Sequence, residues 1–323
     1  FIRAGKLGNR RLLWHFRAGG GKNGGQSAIM ATMDPVSPAK TSRYDLHTHS
    51  LHSDGTLSPT ELVQRAHARG VAVLALTDHD VTDGLTEATT QAGAFGMTLI
   101  AGVEVSVTWQ NQTVHIVGLN IDAALPALQH GLAGLREFRH WRAQEIDRRL
   151  ARKRILGALE GASRHAHGAI LSRTHFARFL VEQGHARDLK HAFKHFLTRS
   201  KPGYVPGRWA PLDAAVRWLR DAGGVAVIAH PARYRFSAGK LGRLIGEFKE
   251  CGGGAIEVVT GSHDGETCRH FASIAHEHGL LASIGSDYHG PGSSWSDLGQ
   301  VLPLPAGCAP VWQAWADRPA VAA

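Results

Sequence analysis

Residues 45–55 read Asp45-Leu46-His47-Thr48-His49-Ser50-Leu51-His52-Ser53-Asp54-Gly55, directly after Tyr44. In extended chain, residues two apart project to one face. His47 and His49 therefore set two imidazoles side by side, with the carboxylate of Asp54 just beyond. A helix is expected to open near Ser58-Pro59-Thr60-Glu61. Two imidazoles and a carboxylate can form half of a metal coordination shell. A surface strand that merely happens to be rich in histidine is the alternative, and the context has to choose.

That context is a series of short apolar runs, several followed by helical patterns. Run 71–76 ends in Thr77-Asp78-His79-Asp80, and run 98–103 ends in Glu104-Val105-Ser106. Run 113–119 carries His115 inside it. After a long gap, run 225–229 ends in His230-Pro231, run 255–259 contains Glu257, and run 281–285 ends in Ser286-Asp287-Tyr288-His289. Helical patterns fall at 59–69, 85–94, 240–251 and 266–278. Apolar strands alternating with helices predict an α/β fold with a mainly parallel sheet. With the strand before His47 there are seven, which predicts a distorted (β/α)₇ barrel over 44–125 and 221–310. Ionisable residues at the C-terminal ends of such strands mark the ligand-binding mouth.

The interruption at 126–220 reads as a helical insertion able to act as a lid. Its first half is rich in arginine, and Arg142, Arg149 and Lys153 share a helix face at i, i+7 and i+11. Glu137, Glu145, Asp147 and Glu160 intervene, so a solvated, salt-bridged helix competes with a role in steering RNA or phosphate. The second half holds Ser172-Arg173-Thr174-His175 and Lys201-Pro202-Gly203-Tyr204, either a cationic loop over the mouth or a plain inter-helix turn. Residues 1–43 are Gly-, Lys- and Arg-rich with no acid before Asp34, which predicts disorder. The natural start is expected at Met33, with an Arg-rich transit peptide as the rival reading. Residues 311–323 read as a tail.

The 323 residues suffice for a large core, and 43% hydrophobic with 20% charged content fits a globular enzyme. No apolar run reaches the ~18 residues of a membrane span. Cys251, Cys268 and Cys308 lie at no metal or redox spacing, so a reducing, cytoplasmic setting is expected. The formal charge of +9 favours nucleotides, RNA or phosphorylated metabolites, and nothing points to a stable protein partner.

The strand-end donors are His47, His49, Asp54, His79, Glu104, His115, His230, Asp287 and His289. Six imidazoles and three carboxylates without a thiolate suit Mn²⁺, Fe²⁺ or Zn²⁺ rather than Mg²⁺ or Ca²⁺. Nine donors exceed the needs of one ion and suffice for two or three, with Glu104 bridging. The reaction that needs such an arrangement is phosphoester hydrolysis. For His115 a packed core histidine stays open as the alternative. Asp78, Asp80 and Glu257 read either as groups that orient ligand imidazoles or as structural residues. Arg233, after His230-Pro231, is placed to bind a substrate phosphate, with Arg173, His175 and Lys201 as further candidates for a second one.

Asp45-Leu46-His47-Thr48-His49-Ser50 with Asp54, Thr77-Asp78-His79, Gly102-Val103-Glu104, Ala229-His230-Pro231 and Ser286-Asp287-Tyr288-His289 resemble the ordered motifs of the PHP (polymerase and histidinol phosphatase) superfamily. The resemblance runs from about Tyr44 to Leu304. The long insert after His115-Ile116-Val117-Gly118-Leu119 is similar to the branch of bacterial 3′,5′-nucleoside bisphosphate phosphatases, also described as ribonuclease AM. The resemblance implies a trinuclear site, usually Mn²⁺. It assigns one ion to His47, His49, Glu104 and Asp287, a second to Glu104, His115 and His230, and a third to Asp54, His79 and His289. It further implies removal of the 3′-phosphate of bisphosphonucleosides and 5′-to-3′ trimming of RNA by a metal-activated hydroxide. Histidinol-phosphate phosphatase is the alternative enzyme.

Overall fold

The computed structural model describes residues 43–292 and 296–316. The stretch 1–43 read as disordered, Arg43 apart, lies outside the described residues, as do 317–323 of the expected tail. Seven strands follow one another in both sequence and sheet: β1 (Tyr44–Asp45), β2 (Val73–Leu76), β3 (Thr98–Trp109), β4 (Gln112–Leu119), β5 (Val225–Ile228), β6 (Ala255–Thr260) and β7 (Leu281–Gly285). The sheet curls back on itself. Leu46 N donates to Ile284 O at 3.0 Å, and Thr48 bridges Tyr288 in parallel, so the expected distorted seven-stranded barrel nearly closes. Helices α1 (Pro59–Ala68), α2 (Leu85–Ala94), α8 (Ala238–Glu250) and α9 (Gly265–His278) return the chain between parallel strands.

One strand runs backwards. β3–β4 and β4–β5 are antiparallel, whereas β1–β2, β2–β3, β5–β6 and β6–β7 are parallel. Only Gln110 and Asn111 connect β3 to β4, both at positive φ (45° and 60°). Two such residues make a tight hairpin, while a parallel crossover needs a dozen or more. β3 is also longer than run 98–103 suggests. It leaves β2 after Ala101 and continues against β4 to Trp109, so Glu104 is inside a strand and not at its end.

The interrupting segment has two loyalties. α3 (Pro126–Ala151) packs Leu128, Leu132 and Leu135 into the barrel core, and α7 (Leu212–Asp221) adds Leu212, Val216 and Leu219 to it. Between them, α4 (Ala158–Arg164), α5 (Arg173–Glu182) and α6 (Leu189–Ala192) join the second half of α3 around a separate apolar cluster that includes Ile146, Leu150, Phe176 and Leu180. The start of the stretch read as a tail is likewise docked. Ala282 donates to Ala309 O at 2.8 Å, Trp312 stacks on Tyr44 with centroids 3.9 Å apart, and Val311 and Trp315 are buried. Apolar rings and a free backbone edge on β7 explain why 311–316 does not hang loose.

Closure requires Gly285 at the end of β7. A Cβ there would lie 2.4 Å from His47 Cβ and 2.7 Å from His47 N, too close for either to yield without moving backbone. Gly285→Ala should therefore destabilise the protein by about 1–3 kcal/mol, read as a lowered Tm. An unchanged Tm would mean that β1 and β7 are not held in this register.

Candidate metal centre

β1 ends at Asp45, whose carboxylate accepts from Ser286 N (2.8 Å) and Gly299 N (2.9 Å) and ties the first strand to the last. Burial pushes its pKa up to about 6, against those hydrogen bonds. Beyond it, His47 and His49 point into the barrel, fully buried. The chain then turns, Gly55 N donating to Ser50 O, and brings Asp54 back to the mouth. Asp78 holds this loop by accepting from Ser50 N, Ser50 Oγ and Ser53 Oγ at 2.5–2.7 Å. Asp80 accepts from Ser106 N and from Arg139. Neither touches an imidazole directly among the described residues, which is the structural alternative of the sequence expectation, although Ser53 Oγ, held by Asp78, lies 3.4 Å from His49 Nδ1. Their short side chains are consumed by the backbone and hydroxyls of the rim. Glu257 does take the orienting role. Its Oε1 lies 2.7 Å from His47 Nδ1 and its Oε2 accepts from His230 N, leaving His47 Nε2 to face the centre.

The reversal of β4 settles where His115 sits. Because β4 enters the sheet from the opposite end, His115 pairs with Ser106 on β3 and lies at the same level as the ends of the parallel strands. Glu104 reaches that level too, bridged in parallel to His79 just past β2.

All nine donors converge. His47 Nε2, His49 Nε2, Glu104 Oε2 and Asp287 Oδ1 lie 3.1–3.4 Å apart in the five pairs measured between them. Donors on a tetrahedron with bonds of ~2.1 Å would be about 3.4 Å apart. Glu104 Oε1, His115 Nδ1 and His230 Nε2 form a triangle with sides of 2.9, 2.9 and 3.3 Å. Asp54 Oδ1 lies 3.3 Å from His289 Nε2 and 3.8 Å from His79 Nε2. His79 Nδ1 approaches Glu104 Oε2 at 2.8 Å, so that ring faces two groups at once. Buried Asp54 Oδ1 and Glu104 Oε2 have no hydrogen-bond donor among the described residues, though each is surrounded by ring nitrogens. Orphaned carboxylate oxygens amid imidazoles are what a divalent cation would satisfy, and the residues fit such a group.

The electrostatics agree. Burial would raise Glu104, but His79, His115 and His47 hold it well below the usual carboxylate range. Asp287 is likewise raised by burial and lowered further by Arg233, His47 and His289, to a net position well below normal. Burial lowers His49 to about 3 and His115 to about 4. It opposes a rise in His289, which Asp54 and Asp287 nevertheless lift to about 9. Asp80, His230 and Asp287 hold positive φ (54°, 29° and 54°), a conformation that strains a residue bearing Cβ by roughly 1–3 kcal/mol. All three lie at or beside the mouth.

Above the donors lies a cavity of about 240 Å³ whose far wall comes from the interrupting helices. Arg173 lines it, as expected, and Arg233 reaches it with Nη1 on Asp287 Oδ2. His175 and Lys201 do not. His175 is buried as part of the α5 cap, its Nδ1 accepting from Ser172 N, and Lys201 is exposed on a turn. Arg142 also departs from expectation, for it is not on a solvated face with Arg149 and Lys153. It is buried, donates to Val205 O through Nε and Nη2, and together with Arg139 lies against the Trp209 ring (5.2 and 4.9 Å to the centroid). Arg139, Arg142 and Trp209 all line the cavity. The 3-residue spacing of the two arginines was legible, but their turn toward the barrel was not. Ser172 Oγ and Thr174 Oγ1 were missed as well, and both donate to Asp54 Oδ2.

A family model described as "PHP domain" matches residues 45–197. The 3′,5′-nucleoside bisphosphate phosphatase of Chromobacterium violaceum is 49% identical over 270 residues, 83% of this chain and 95% of the relative. The chain belongs to the PHP-domain family. Its similarity extends to the 5′-3′ exoribonuclease Rnm of Escherichia coli, 46% identical over 274 residues, 84% of this chain and 93% of the relative. The PHP fold itself is shared with a solved amidohydrolase of Chromobacterium violaceum holding sulfate and no metal (TM-score 0.81, 49% identity, 84% and 95% coverage). Another solved PHP-fold chain, assigned as a metal-dependent phosphoesterase of Bifidobacterium adolescentis, has a TM-score of 0.71 at 25% identity, with 85% and 96% coverage. No helix among the described residues is long and apolar enough to cross a membrane.

Two outcomes follow for this PHP centre. His47 and His289 have raised pKa values and carry protons in the metal-free protein at neutral pH, and ligation must displace them. Divalent-metal affinity, measured by competition with a chromogenic chelator, should therefore tighten as pH rises from 6 toward 9; a flat profile contradicts the proton inventory. Glu257→Gln weakens the hold on His47 Nδ1–H and should lower metal affinity about 10–100-fold with the fold intact by circular dichroism.

Proposed function

We propose that this chain is a metal-dependent phosphoesterase that removes the 3′-phosphate of 3′,5′-bisphosphonucleosides and trims RNA from its 5′ end. One observation carries the reading. The two oxygens of Glu104 are shared between adjoining groups of imidazole and carboxylate donors, directly beneath an arginine-lined cavity. Adjoining donor groups joined by one carboxylate fit a cluster of two or three ions, Mn²⁺ first, with Fe²⁺ or Zn²⁺ also compatible. His47, His49, Glu104 and Asp287 would hold one ion, Glu104, His115 and His230 a second, and Asp54, His79 and His289 a third. Bound there, the ions would supply Lewis acidity to the phosphoryl oxygens and lower the pKa of a water.

The chain's own residues do the rest. Arg233, on the rim, offers its guanidinium to the scissile phosphate while its ion pair with Asp287 aims it. Arg139 (ion-paired with Asp80), Arg142 and Arg173 line the inner cavity, where the phosphate at the other end of a bisphosphonucleotide would reside. Ser172 and Thr174 hold Asp54 Oδ2 and leave Oδ1 turned inward. The helices of 126–220 thus complete the site as a lid as well as covering it. The names of the relatives support the substrate class, since one is a nucleoside bisphosphate phosphatase and another an exoribonuclease. Free Cys251, Cys268 and Cys308 suit a reducing cytoplasm.

Metal-stripped protein resupplied with Mn²⁺ should release phosphate from the 3′ position of adenosine 3′,5′-bisphosphate. Asp54→Ala or His79→Ala should slow that release by about 10²–10³-fold or more. Robust cleavage of histidinol phosphate with none of the bisphosphate would replace this reading by the smaller-substrate phosphatase.

A further inference from the structure

The cavity over the donors is not the whole of the mouth. A second, larger groove of about 780 Å³ adjoins it, and the two share Thr174, Phe193, Arg233, Asp287 and His289 along their boundary. The groove extends away from the barrel along α5 and α6, past Arg178, Val181, Leu189 and Lys190. We propose that this groove is the track for the unpaired RNA strand on the 3′ side of the scissile phosphate. The inference rests on the proposed phosphoesterase reading and adds the route of a polymeric substrate.

Size and closure set the direction. The inner cavity, about 240 Å³, backs onto the β3–β4 hairpin through Ser106 and Thr113 and is walled by Trp209. Its volume is about that of one nucleotide. A strand whose first nucleotide sits there, with its 3′ phosphoester over the donors, has to leave across Arg233 and Phe193. The outer groove begins at those residues. With 780 Å³ against 240 Å³ it has room for roughly three more nucleotides if each occupies a volume like the first.

The lining suits that occupant. Lys190 is exposed and forms no ion pair among the described residues, while Arg178 is anchored through Asp54 O. Asp188 faces the same groove, but its carboxylate is engaged in capping α6 through His191 N. Val181, Leu189 and Phe193 line the same groove, Phe193 at the junction with the Arg173 guanidinium over its ring (5.7 Å to the centroid). Positive charge interspersed with apolar surface, one aromatic ring included, is how proteins hold single strands without reading their sequence. A bisphosphonucleoside ends at the scissile phosphate and does not reach Lys190.

The test compares substrates. Wild-type protein loaded with Mn²⁺ should hydrolyse 5′-monophosphorylated oligoribonucleotides with kcat/KM rising from two to about four nucleotides and then levelling. Lys190→Glu should lower kcat/KM for a six-nucleotide RNA roughly tenfold relative to that for adenosine 3′,5′-bisphosphate. Lys190→Ala should reduce the slope of log kcat/KM against log salt for the RNA by about 0.7. Equal rates on dimers and hexamers, or an RNA-to-bisphosphate ratio unmoved by either variant, would overturn the track. Failure of the wild-type protein on the bisphosphate would instead remove the reading beneath it. Lys190 is on the surface, so both variants should keep the wild-type Tm.

Discussion

A single buried carboxylate organises this molecule. Glu104 has no exposure to solvent, yet it stays ionised because His47, His49, His79, His115 and His230 surround it within 2.8–3.4 Å. A lone carboxylate moved out of water loses several kcal/mol, so it survives in a barrel only where partners are brought to it from every side. The five come from four different strands or strand ends, His47 and His49 together from the end of β1, and the barrel is the device that delivers them. Glu257 repeats the arrangement one layer down, fixing His47 and the backbone of His230 together.

The local irregularities of the fold serve that delivery. An all-parallel barrel would have buried His115 below the rim; the two-residue hairpin at Gln110-Asn111 reverses β4 and lifts it to the level of Glu104. Left-handed backbone at His230 and Asp287 turns both side chains inward immediately after their strands, a conformation tolerated because hydrogen bonds and ion pairs over-determine it. The helices between α3 and α7 do more than shelter the mouth. α5 and its cap hold one oxygen of Asp54, and α3 contributes the buried arginines that lie against Trp209, so the donor cluster and the arginine-lined wall of the cavity both draw on the interrupting segment.

Much of this was legible in the chain. Strand ends announce themselves because a buried parallel strand is a near-continuous apolar run, and His79, His230 and Asp287 stand out against such runs. His47 and His49 are legible because a period of two needs no tertiary information. Arg139 and Arg142 were not legible as cavity residues, since an arginine-rich helix reads the same whether it faces solvent or a buried acid such as Asp80. His175 misled for a related reason. It stands two residues from Arg173, yet helical geometry sends it inward to cap its own helix.

The sequence by itself determined the barrel, the number of its strands and eight of the nine convergent donors, and left His115 open. Those depend on local apolar periodicity and on the chemistry of each side chain, which travel with the residue. Only the tertiary structure decided the direction of β4, which brings His115 among the donors, and which arginines face the cavity. These are matters of register and rotation between elements far apart in the chain. They are set by packing and by the need to pair buried charge, and no short window of residues records them.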